Sequence, residues 1–155
     1  MQLDVAGYSI VCDPQATRAA YAPLPVGTGC ACAHCRNFDA AQGLAFPAAF
    51  LGLVRSLGID PAKPAELCHL GGEPPDPCLM GGWFHFVGHI AAGDDAIEQS
   101  DGAGTVRYRN LAVGIDIGFT RHVWPVAETF SGLAVCQLEF QARIPWVLPG
   151  PGISP

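Results

Sequence analysis

Apolar residues recur along this chain with two different periods, and the change between them divides it. The first third is helical in character. Asp13-Pro14 supplies an N-cap followed by proline at the first helical position, predicting a short helix through about Tyr21 that Pro23 and Pro25 end. Ala33 to Gln42 is a proline-free run of good helix formers, with Gly43 where a left-handed C-terminal residue would stand. Phe50, Leu51, Leu53, Val54 and Leu57 fall on one face at helical spacing, so a further helix opens at Pro47 and stops at Gly58. β-branched and aromatic residues mark the strands. A first strand is expected over Asp4 to Cys12 and a short one over Ala65 to Leu70. Leu79 to Ala92 reads as a strand despite its glycines, and Thr105 to Leu111, Ala112 to Phe119 and Leu133 to Phe140 follow. Gly93 to Gly104 is polar and acidic, a solvated hairpin loop, while Val126 to Phe130 fits neither period.

Two or three short helices gathered in the N-terminal third, then a run of strands, predict an α+β fold with a mainly antiparallel β-sheet covered by the helices. A parallel doubly wound fold would alternate the two. With 155 residues the chain suits a single domain, 1–155, closed by a Pro/Gly-rich tail over 149–155.

Composition narrows the function. Half of the residues are hydrophobic and 14% charged, below the roughly 25% of ordinary soluble domains, so some apolar surface is expected for a protein partner or a homo-oligomer. A net charge of −6, with Lys63 as the single lysine, argues against nucleic acid. No apolar run reaches the roughly 20 residues a membrane helix needs. The acidic, non-signal start at Met1 to Gly7 and an odd count of 7 cysteines favour a reducing, cytoplasmic setting with free or metal-bound thiols.

Chemistry concentrates in Gly29-Cys30-Ala31-Cys32-Ala33-His34-Cys35-Arg36-Asn37-Phe38. Cys32 and Cys35 have the C-x-x-C spacing that lets two thiolates hold one metal, and Cys30 adds a third. A closed zinc site needs four ligands, and the sequence offers His34, Cys12, Cys68, His69, Cys78, His85, His89, His122 and Cys136 for the last position. Cys30, Cys32 and Cys35 with His85, or with a residue of the Cys68 to Cys78 region, form the expected site, and zinc is the expected cofactor. His85 and His89 cannot chelate one ion on a strand, where four residues span about 13 Å. His85, flanked by Trp83, Phe84 and Phe86, is otherwise a hydrogen-bonded core or cleft histidine. Cys32 at a helix start would also favour its thiolate, which keeps a thiol-disulfide or thiol-transfer role for Cys32 and Cys35 in view. The acidic residues Asp94, Asp95, Glu98 and Asp101 lack calcium-loop spacing, and phosphate-loop, serine-elbow and His-Glu-x-x-His motifs are absent from the sequence.

Cys30-x-Cys32-x-x-Cys35-Arg36-Asn37-Phe38, Gly58-Ile59-Asp60-Pro61-x-Lys63-Pro64-x-Glu66, Gly81-Gly82-Trp83-Phe84-His85-Phe86-x-Gly88 and Gln137-Leu138-Glu139-Phe140 with Pro145-Trp146-Val147-Leu148 together resemble a family of small uncharacterised bacterial proteins. The resemblance spans most of the chain. It implies a bacterial cytosolic domain and carries no activity with it. Three readings therefore stand side by side: a thiolate zinc site of structural or regulatory role, a thiol-disulfide protein, and a noncatalytic, immunity-like acidic protein that covers a basic surface.

Overall fold

In a computed structural model, which describes residues 1–100 and 103–150, the chain enters as a hairpin where one strand was expected. Strands β1 (Gln2–Val5) and β2 (Tyr8–Cys12) are joined at Ala6 and Gly7, whose φ values of 48° and 79° make a two-residue turn of the hairpin-favouring hand. Alanine at a positive φ is why sequence alone did not mark the turn. Asp13 then caps helix α1 (Pro14–Tyr21), its carboxylate accepting from the Ala16 N–H at 3.0 Å.

Helix α2 (Ala33–Ala40) follows the cysteine loop, and Gly43 lies inside a short further helix, α3 (Gln42–Ala45), not at a left-handed cap. Helix α4 (Ala48–Leu57) buries Phe50, Leu53, Val54 and Leu57 of the five residues on its expected apolar face, with Leu51 half-buried at its margin. Gly58 ends it at φ 80°, with its Cα so close to helix α1 that a Cβ would stand 2.2 Å from the Pro14 carbonyl oxygen.

The sheet is organised on one long strand. β3 (Glu66–Gly71) pairs with the first part of β4 (Cys78–Ala92), and β2 pairs with its last part on the same edge. Between them Phe84 to Val87 have no strand neighbour on that side, yet their polar groups are paired. Ala65 N–H donates to the Trp83 carbonyl, and the Tyr21 hydroxyl donates to the His85 carbonyl at 2.9 Å while accepting from the His85 N–H at 3.2 Å. Thr17 Oγ1 accepts from Val87 N–H at 2.9 Å, and Asp13 N–H donates to the Val87 carbonyl. Helix α1 thus completes the ladder with side chains.

A small ribbon, β5 (Ile97–Ser100) and β6 (Ala103–Val106), replaces part of the expected solvated loop. Asp95 is built in, accepting from the N–H groups of Ile97 and Arg121, whereas Asp101 and tail residues 151–155 lie outside the described residues. After β7 (Arg109–Ala112), β8 (Ile115–Thr120) and a 3₁₀ turn over Glu128–Phe130, β9 (Val135–Ile144) enters the sheet centre. The order is β1-β2-β4-β9-β8-β7, with antiparallel pairs throughout. This is the expected α+β architecture. Phe46 and Phe50 from the helical segment pack on Phe84 and Phe140 of the sheet, with Phe46 and Phe140 centroids 5.4 Å apart. Arg109 of β7 reaches to the opposite end of the strand order, donating to the Ala6 carbonyl at 3.0 Å and lying 4.3 Å over the Tyr8 ring. Among the described residues no helix is long and apolar enough to cross a membrane.

Candidate metal centre

The cysteine loop is held where it starts and where it ends. Gly27 N–H donates to the Ala62 carbonyl at 2.8 Å, and Cys32 takes the N-cap position of helix α2, where its Sγ accepts from the Cys35 N–H at 3.4 Å. A sulfur stands where Ser or Asp is usual, so one helix-end donor is aimed at a prospective thiolate. That turn folds Cys35 back under Cys32. The Sγ atoms of Cys30, Cys32 and Cys35 all lie within 4.8 Å of one another. Tetrahedral zinc, with Zn–S bonds of about 2.3 Å, separates its sulfurs by roughly 3.8 Å, so closing the triad on an ion takes about 1 Å of movement at most.

The electrostatics of the three are unequal. Chiefly through the Cys35 N–H, the Cys32 thiol is held below its ordinary value, and hydrogen bonds from the Cys30 and Cys35 thiols add to this. Burial pushes Cys35 up to about 12, with its hydrogen bond to Cys32 acting the same way. Cys32 is thus the thiol whose anionic form its surroundings favour, and Cys35 the one whose anionic form they oppose. A cation at their centre would reverse that for Cys35, because a coordinating thiol gives up its proton. Cys30 and Cys32 are exposed and Cys35 is buried, which leaves the outer side of the triad open to solvent.

His85 is not part of this cluster. It is buried, its Nε2 bonded to Gln137 Oε1 at 2.8 Å, and burial lowers its pKa more than that bond raises it, so the ring is neutral near pH 7. Register decides this: His85 sits opposite Gln137 across β4 and β9, on the sheet face that also carries Glu139. Gln137 Nε2 donates in turn to Glu139 Oε1 at 2.5 Å, and burial raises the Glu139 carboxyl. The resulting buried row, His85-Gln137-Glu139, was not foreseen, since only the strand pairing brings its members together. His85 also lines a cleft of about 350 Å³ with Tyr21, Thr28, Gly29 and Phe130, next to the start of the cysteine loop.

The other fourth-ligand candidates disperse as well. Cys136 donates to the Thr120 carbonyl and Cys68 to the Gly81 carbonyl, while Cys12, His89 and His122 join neither convergent group of the described residues. His34, His69 and Cys78 form a second group, again with ligand atoms within 4.8 Å of one another. Strand alternation separates the neighbours Cys68 and His69, both offered by the sequence for the fourth position.

The chain matches no protein-family model, no curated protein and no solved structure. The geometry of these side chains is thus what bears on function. Among the described residues it comprises a cysteine triad able to hold a metal ion.

Proposed function

We propose that the protein binds zinc through Cys30, Cys32 and Cys35, and that the ion has a structural or regulatory role, fastening the loop from Gly27 to Cys32 onto helix α2. The observation that carries this reading is the convergence of three sulfurs at a helix start that already donates an N–H to one of them. Three thiolates select a soft or borderline ion over magnesium or calcium, which take oxygen ligands. Because Cys30 and Cys32 face solvent, the fourth position is open to water or to a ligand from outside the chain.

The test compares thiol labelling of the reduced protein, mapped by peptide mass, with and without one equivalent of zinc. Zinc should protect Cys30, Cys32 and Cys35 together and leave exposed Cys68 reactive. Equal labelling of the three with and without zinc, in protein that still folds, refutes the reading.

A second reading, thiol-disulfide exchange, draws support from one contrast: Cys32 is exposed with a lowered pKa, while Cys35 is buried with a raised one. That is the division between an attacking and a resolving thiol. It requires a Cys32–Cys35 disulfide that forms and reverses in a thiol redox buffer, read as a loss and regain of about 2 Da in that peptide. A peptide that stays reduced across the buffer range removes this reading.

A further inference from the structure

The second convergent group draws its members from three elements. His34 comes from helix α2, His69 from β3 and Cys78 from the first residue of β4. His34 and His69 rings stack with centroids 3.9 Å apart and planes 21° apart, and the Trp146 ring meets His34 edge-on at 5.8 Å. His69 Nε2 lies 2.7 Å from the Gly72 carbonyl oxygen, which can only accept, so Nε2 carries the proton and Nδ1 keeps the free lone pair. An imidazole fixed in this way by a backbone carbonyl is how metal-bound histidines are oriented.

Two buried side-chain nitrogens among the described residues find no hydrogen-bond partner, and both are here: His34 Nε2 and Trp146 Nε1. Buried polar atoms are otherwise paired, so two orphans on neighbouring rings mark a place built for something the chain itself does not supply. The chemistry of the surroundings says what. Two imidazoles and a buried thiol form a donor set of borderline softness, and the Glu73 carboxylate is 3.9 Å from His69 Nε2. Anchored at Asn37, which accepts from the Val147 and Leu148 N–H groups and donates to the Pro145 carbonyl, the segment 145–148 holds Trp146 against His34.

We propose that His34, His69 and Cys78 form a second metal site, independent of the cysteine triad, that binds a borderline divalent ion such as Zn²⁺ and keeps a fourth position for an exchangeable water or small anion. Three protein ligands with one open position is the arrangement of reactive zinc sites, in contrast to closed structural ones. The Trp146 indole N–H is the donor available to the exchangeable ligand. Binding requires the stacked rings to splay so that both lone pairs aim at one ion, and His69, exposed and hinged at its bond to Gly72, is the ring free to tilt. His34 and Cys35 are consecutive, with Cα atoms about 3.8 Å apart, so ions in both sites would share one turn of helix α2.

Cobalt(II), titrated into the reduced full-length chain, distinguishes this site from the triad. A Cys30→Ser/Cys32→Ser/Cys35→Ser variant should still bind an equivalent of cobalt with tetrahedral d–d bands and a weak, single-thiolate charge-transfer band. Azide should then shift the d–d bands. His69→Ala, at an exposed position, should lose that equivalent while keeping the intense thiolate band of the triad. The proposal is overturned if the triple variant, folded by circular dichroism, binds no cobalt, or if His69→Ala binds as much as the wild type. Loss of the thiolate-rich band in wild type with the azide-sensitive equivalent intact would instead remove the triad and leave this site standing.

Discussion

Tyr21→Phe deletes one oxygen and tests how the central strand is held. The hydroxyl is the partner of both the N–H and the carbonyl of His85, in the stretch of β4 that neither β2 nor β3 reaches. Phenylalanine keeps the ring and its edge contact with Phe130, 5.6 Å between centroids, so cavity formation is minimal. What remains is two buried backbone groups without a partner, each costing about 1–3 kcal/mol, partly offset because the hydroxyl itself no longer needs desolvation. The expected loss is roughly 2–4 kcal/mol, a large share of the 5–15 kcal/mol typical of a domain. Urea unfolding should show a lower midpoint with an unchanged slope, and the His85 amide should exchange with solvent far faster than in wild type. A change below about 0.5 kcal/mol with a protected His85 amide would refute the claim that helix α1 completes this ladder.

Two other changes probe the regions flanking the candidate sites. Burial raises the Glu139 carboxyl above its ordinary value of 4.5, so the folded state holds that proton more tightly than the unfolded one. The associated stability is fully present below the unfolded value and is lost as pH rises through the folded one; Glu139→Gln, still able to accept from Gln137, should remove that loss and be the more stable protein at pH 7, and parallel stability profiles of the two from pH 4 to 7 would contradict it. Asn37→Ala breaks three hydrogen bonds to the segment 145–148, should cost about 1–3 kcal/mol and should expose that segment to proteolysis, so cleavage near Trp146 at the wild-type rate would show the segment is held by something else.

Local chemistry made several elements legible in the sequence. Helix α4 announced itself by five apolar residues at one spacing, helix α1 by Asp13-Pro14, and β4 by aromatic density that outweighed its glycines. The β1–β2 turn was hidden because Ala6 carries a conformation that Asn or Gly would have advertised. Of the candidate site, the triad was visible because all its members lie within six consecutive residues. His85 lies outside the triad, bonded to Gln137, a partner 52 residues away that strand register chooses. The His34, His69 and Cys78 group had no spacing signal, since helix docking and the β3–β4 hairpin create it.

The sealed edge of β4 and the reach of Arg109 have a bearing on how this protein meets others. Unpaired strand edges are templates on which further chains can add, the usual route to β-aggregation. Here one inner edge is stoppered by Thr17 and Tyr21, while the guanidinium of the last strand clasps the turn beside the first. In a chain so rich in apolar residues and so sparing of charge, each strand group closed in this way is one fewer site on which a second chain could add.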